Sequence, residues 1–60
     1  MRANCYAVYI DNERLNGGKN SLMAIFSVDF HAREYAEKLW GNYYIIEPMY
    51  IEGFCEYEEI

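Results

Sequence analysis

A chain of 60 residues with 53% hydrophobic content, seven Tyr, three Phe and one Trp is too short for more than one small domain and too rich in aromatics for a disordered segment. Its net charge of −5, ten acids against five bases, excludes the basic footprint that direct nucleic-acid binding requires. No stretch approaches the roughly 20 apolar residues of a membrane span, and "MRANCYAVYI" lacks the long apolar stretch and the small-residue cleavage site of a secretory signal. A soluble, cytoplasmic protein is expected.

Residues 4–10, "NCYAVYI", are rich in Tyr, Val and Ile and read as a first strand, with Cys5, Ala7 and Tyr9 on one face and Tyr6, Val8 and Ile10 on the other. Residues 11–20, "DNERLNGGKN", read as a polar loop, a hairpin with a long, mobile tip. Residues 21–27, "SLMAIFS", form a nearly continuous apolar run, as expected of a second strand covered on more than one side.

A helix follows, with Ser27 or Asp29 as its N-cap. Val28, Ala32, Tyr35, Ala36 and Leu39 recur at helical spacing as its apolar stripe. Glu34 and Lys38 form an i,i+4 pair on the polar side, and Gly41 supplies a left-handed C-cap. Residues 42–51, "NYYIIEPMYI", alternate as a third strand, in which Pro48 marks an edge, a bulge or a strand end. Gly53 breaks the run, and "FCEYEEI" resumes alternation as a short fourth strand or an extended arm.

The pattern predicts one α+β domain over residues 1–60, β-β-α-β. Its mostly antiparallel three-stranded sheet has strand one in the middle and the helix on one face. The predicted core is Val8, Phe26, Tyr35, Ala36, Leu39 and Ile45. With no element assigned to the other sheet face, and a core this small, a homodimer through an exposed edge or face is expected.

The sequence carries no catalytic motif. His31, the single histidine, could be paired with Cys5 or Cys55 as a thiol–imidazole couple, but no third orienting group is evident, and a surface histidine in the first turn of a helix is the simpler reading. One histidine and two distant cysteines give no zinc spacing, and the C-terminal glutamates lack the order of a calcium loop. "NGGKN" has neither the spacing nor the following Ser/Thr of a phosphate loop. No cofactor and no metal are therefore expected, and no enzymatic activity. In a reducing compartment Cys5 and Cys55 are expected as free thiols, their pairing being a question of geometry.

The charge is unevenly placed. The five bases Arg2, Arg14, Lys19, Arg33 and Lys38 are balanced by the five acids among the first 38 residues, while Glu47, Glu52, Glu56, Glu58 and Glu59 near the C-terminus face no base in sequence. Acids there are interleaved with aromatics, which repels phosphate and defeats base stacking but suits a protein interface, where Tyr and Trp dominate the binding energy. The candidate partner-binding residues are Glu47, Tyr50, Glu52, Phe54, Glu56, Tyr57, Glu58 and Glu59: "EGFCEYEEI", residues 52–60, is read as an ordered arm that, with Glu47 and Tyr50 of the third strand, meets a basic partner protein.

The strand "CYAVYI", the "FS-x-D" approach to the helix "AREYAEKLWG", and "NYYIIEPMYIE" after it together resemble the small β-β-α-β proteins that phages encode. That resemblance implies a host-takeover or anti-defence factor, working in the host cytoplasm, that inhibits a host defence or nucleic-acid-handling protein by covering a basic surface. Glutamates standing in for phosphates would be one way to do so. The alternatives are a structural subunit of a larger assembly and a small enzyme using His31 and a cysteine.

Overall fold

The computed structural model describes residues 2–54 and, by backbone alone, 57–59. Three strands pair antiparallel with β1 (Cys5–Ile10) in the middle, β2 (Ser21–Phe26) on one side and β3 (Tyr44–Met49) on the other. The helix between β2 and β3, which we number α2 (Asp29–Trp40), packs over one face of this sheet. This is the predicted α+β arrangement, except that β3 is shorter than the alternation suggested, Tyr44–Met49. A three-residue segment, β4 (Tyr57–Glu59), pairs antiparallel with β2, giving the order β3-β1-β2-β4.

The loop expected over residues 11–20 is instead built around a short helix, α1 (Asn12–Asn16). Asp11 is buried at its N-terminus; its carboxylate accepts from the Arg14 N–H at 3.1 Å and lies 3.7 Å from the Arg14 guanidinium. The Asn12 side-chain amide donates to the Lys19 carbonyl at 2.9 Å, and Asn20 Oδ1 accepts from the Glu13 N–H at 3.1 Å. The connection is thus closed on itself by short polar side chains that satisfy backbone groups.

Strand β2 reads as continuously apolar because its register slips against β1: Val8 faces Ala24, but Tyr9 faces Leu22, so Met23 is the extra residue of a bulge. Leu22 and Ile25 consequently both lie on the Tyr9 side, while Ala24 and Phe26 face α2 with Val8 and Tyr6.

Helix α2 begins without a side-chain cap: Val28, in extended conformation, holds the N-cap position, not Ser27 or Asp29. Asp29 instead accepts from Arg33 Nε at 3.2 Å, so the helix's own ion pair is Asp29–Arg33 and not Glu34–Lys38. Gly41 ends the helix at φ 62°, ψ −113°, outside the left-handed helical basin and in a region that a Cβ disfavours.

The buried residues of α2 are Ala32 and Ala36, set over Val8, with Tyr35 and Trp40 flanking them. Phe26, Tyr35 and Trp40 form a chain of tilted and edge-to-face rings, 5.1 and 5.8 Å between centroids. The inward line therefore runs 32, 36, 40, and the predicted core must be corrected at two places. Leu39 is 55% exposed and Ile45 37% exposed. Small alanines let the helix sit close to the sheet, and the flanking aromatic rings fill the space that Leu39 was expected to occupy.

The opposite face is not bare. Cys5, Ala7 and Ile25 are buried there beneath Ile51 and Phe54, with Met49, Tyr9 and Leu22 around them. Since β3 and β4 lie at opposite edges, the chain from Met49 to Tyr57 must span three inter-strand gaps, about 14 Å, well within reach of its length. Ile51 and Phe54 carry its described part, residues 50–54, over the face away from α2, at the end of the sheet where Cys5 lies.

Truncation at two leucine-sized positions separates the observed core from the predicted one. Ile25→Ala is expected to cost about 2–5 kcal/mol, whereas Leu39→Ala should stay within about 0.5 kcal/mol of the parent. Urea denaturation followed by circular dichroism checks both. Equal losses would show that the helix is set with Leu39 inward.

Candidate protein-interaction surface

The segment that carries the candidate residues is positioned by one side chain. Asn4 Nδ2 donates to the Ile51 carbonyl at 2.8 Å, and the Ile51 N–H donates back to Asn4 Oδ1 at 2.9 Å. The Asn4 N–H also reaches the Met49 carbonyl at 3.1 Å, and the Cys5 thiol donates to the same oxygen at 3.3 Å. Beyond Ile51 the chain turns through Glu52 and Gly53, which has φ 75°, and the Phe54 N–H closes the turn on the Ile51 carbonyl at 3.3 Å. Residues 51 and 54 thereby point to the sheet while Glu52 stays in solvent.

This geometry divides the predicted site. Glu47 projects from β3 opposite Ala7, exposed; Tyr50 follows, 48% exposed, and Glu52 sits on the turn. Glu47 and Tyr50 thus belong to the β3 side, while Glu52 lies on the turn between Ile51 and Phe54, where Ile51 is tied to Asn4 before β1. Phe54 is half-buried against Cys5, Ala7 and Ile25 and acts as an anchor of the fold. The backbones of Tyr57, Glu58 and Glu59 lie at the far edge, opposite Phe26, Ile25 and Ala24. Glu56 falls outside the described residues, as does Cys55.

The thiol and the imidazole are on different sides. Cys5 is a free, fully buried thiol on the Phe54 face, and burial pushes its pKa up, opposed by a backbone hydrogen bond from Ile51. His31 is exposed on α2, its ring edge-on to Phe30 at 6.1 Å. The sheet separates the two. Among the described residues no group of three or more His, Cys, Asp or Glu could hold a metal ion, and no helix is long and apolar enough to cross a membrane.

A second surface was not anticipated. Phe30, Arg33, Glu34 and Glu37 line an open groove on α2, and Phe30 is 66% exposed. The spacing i, i+3, i+4, i+7 was legible as one helical stripe, but three of its four members are charged and it reads as a solvated face. The groove adjoins β3 through Tyr44, whose hydroxyl donates to Glu37 Oε2 at 3.0 Å. Arg33 is held by Asp29, and that hydrogen bond together with the carboxylate's charge raises the guanidinium pKa further. At the other end of β3, Arg14 lies over the Tyr43 ring at 5.2 Å and donates to the Asn42 carbonyl at 3.3 Å.

Burial, then the hydrogen bond to Glu37 and that carboxylate's charge, raise the Tyr44 pKa above its ordinary value of 10.0. A phenol whose folded-state pKa is raised contributes stability that is fully present below the unfolded value and is lost as pH rises through the folded one. Stability is therefore expected to fall above pH 10, and Tyr44→Phe should remove the part of that fall due to this phenol. Denaturant midpoints measured at intervals from pH 8 upward check this; identical alkaline slopes for parent and Tyr44→Phe would show that Tyr44 ionises as it does in the unfolded chain.

Comparison with protein-family models, with curated proteins and with solved structures finds no match for this chain.

Proposed function

We propose that this chain is a small acidic protein-binding module that occupies a basic surface of a partner protein. The observation that supports it best is the placement of charge: Glu47, Tyr50 and Glu52, close together in sequence, are all exposed, in a C-terminal region that contains no base. Carboxylates at a rim accelerate encounter with a cationic surface, and an adjacent exposed aromatic supplies the anchor that slows dissociation. The phage-type inhibitor implied by the resemblance is one form of this reading, in which the covered surface is the working surface of a host defence or nucleic-acid-handling protein.

A structural subunit of a larger assembly is the second reading. It is favoured by the spread of exposed apolar side chains over both sides of the molecule, Phe30 and Leu39 on α2 and Ile45 on the sheet. The expected homodimer retains a narrower basis than an open sheet face would give, because Ile51 and Phe54 already cover Cys5, Ala7 and Ile25. What is left to a second copy is the cross-strand row Ile45–Tyr9–Leu22.

Affinity capture from the cells that express the chain tests the reading. The expected result is a stoichiometric basic protein, released by rising salt, whose association rate falls when Glu47 and Glu52 are changed to Gln and whose dissociation rate rises with Tyr50→Ala. A partner insensitive both to salt and to the glutamine changes would contradict it, and recovery solely with components of a large assembly would support the second reading.

A further inference from the structure

We propose that the outer edge of β3, together with the groove on the adjoining flank of α2, takes an extended basic segment of a partner protein as an added strand. This rests on the binding-module reading and names the element that would do the binding.

β3 is the last strand on its side of the sheet, so among the described residues nothing pairs with its outer edge. Which of its backbone groups are free follows from the register. The Asp11 N–H donates to the Tyr43 carbonyl at 3.0 Å, and the pairing runs without a slip from Ile10–Tyr44 to Cys5–Met49. In an antiparallel pair, residues that bond to the neighbour alternate with residues that do not. Tyr43, Ile45, Glu47 and Met49 therefore turn their polar groups toward β1, and Tyr44, Ile46 and Pro48 turn theirs outward. The proline nitrogen, which cannot donate, falls on the outward set as this phase requires. The edge offers the N–H groups of Tyr44 and Ile46 and the carbonyls of Tyr44, Ile46 and Pro48, an unpaired ladder of the kind that extended peptides complete.

The surroundings fit a strand with bases on it. On the helix side the groove presents Phe30 as an apolar wall and Glu34 and Glu37 as carboxylates. On the opposite side of the strand stands Glu47. The nearby cations are already engaged, Arg33 with Asp29 and Arg14 with Asp11. An incoming strand alternates its side chains between two faces, so bases on either face meet a carboxylate, while an apolar residue can lie against Phe30. A second copy fits less well. It would bring a net charge of −5, the same acidic edge and a second proline without a donor.

The probe is an acetylated, amidated octapeptide of alternating lysine and valine, titrated into 15N-labelled protein, with the glutamate–valine octapeptide as control. At saturation the amides of Tyr44 and Ile46 should shift and exchange with solvent roughly tenfold more slowly or better. Phe30 should shift with them, binding should weaken with salt, and the control should do nothing. The 60-residue chain can also be made by chemical synthesis with an N-methyl group on Ile46. This removes one outward donor and leaves the side chain and the β1 ladder intact. Binding should then fall by about three- to tenfold, the net worth of one hydrogen bond, with an unchanged circular dichroism spectrum. Should the N-methyl form fail to fold, protection of Tyr44 and Ile46 in the unmodified protein still decides. Saturable binding that perturbs Glu52 and residues 57–59 but not Tyr44 and Ile46 overturns the edge proposal while the module reading stands. No binding of the lysine–valine peptide overturns it as well, and capture of a basic partner judges the module reading separately. Protection of these two amides that grows with protein concentration alone would assign the edge to a second copy and likewise overturn it.

Discussion

Two hydrogen bonds between one side chain and one residue's backbone hold the crossing segment of this protein. Asn4 precedes β1 and Ile51 follows β3, 47 residues later, and the amide of one satisfies both the N–H and the carbonyl of the other. Each bond is exposed and contributes only about 0.5–1.5 kcal/mol net. Their value lies in what they position: Ile51 and then Phe54 are set over Cys5, Ala7 and Ile25, on a sheet face that α2 does not reach. The carbonyl of Met49, bonded by the Asn4 N–H and the Cys5 thiol, fixes the same junction from the other side. A sheet this small would otherwise have one dry face and one wet face.

The covering is partial, and its limits define the surface. The crossing lies at the Cys5 end of β1, so that at the other end Ile45 remains exposed beside half-buried Tyr9 and Leu22. It also occupies the face of the sheet and leaves the outer edge of β3 unpaired among the described residues. On the other face, packing through Ala32 and Ala36 keeps α2 close to β1 and turns Phe30 and Leu39 outward. Apolar side chains that could have enlarged the core are thus displayed, in a molecule whose marginal size makes each buried methylene matter. Display at the cost of burial is what an interaction module would show.

The three main strands and α2 were legible because each has a local signature: alternation in "CYAVYI" and "YIIEPM", the continuous run of "SLMAIF", and helical periodicity ended by Gly41. Helix α1 was not, since five residues are too few for a period to register and its stability comes from Asp11, Asn12 and Asn20 acting as caps and ties. Leu39 was misplaced because periodicity gives a stripe only to within one position, and the choice between 39 and 40 was made by ring packing of Trp40 on Tyr35. The candidate site was legible as composition but not as a place. Whether Glu47 and Glu58 are neighbours depends on strand order, a non-local property, and the order β3-β1-β2-β4 puts them at opposite edges. The groove at Phe30 was hidden for a different reason: a single apolar residue on a charged helical face looks like an accident until Tyr44 is seen to bring β3 up to Glu37.

The accessibility of the Cys5 thiol tests the crossing segment most directly, because Cys5 is fully buried beneath it and burial holds its pKa up. In a Cys55→Ser background, which leaves Cys5 as the sole thiol, alkylation by iodoacetamide should proceed at the rate of rare opening. Adding Asn4→Ala or Phe54→Ala should speed it roughly tenfold or more while circular dichroism still shows the sheet and α2. A Cys5 thiol that reacts like an unhindered one in the Cys55→Ser parent, or one whose rate neither substitution changes, would contradict the account.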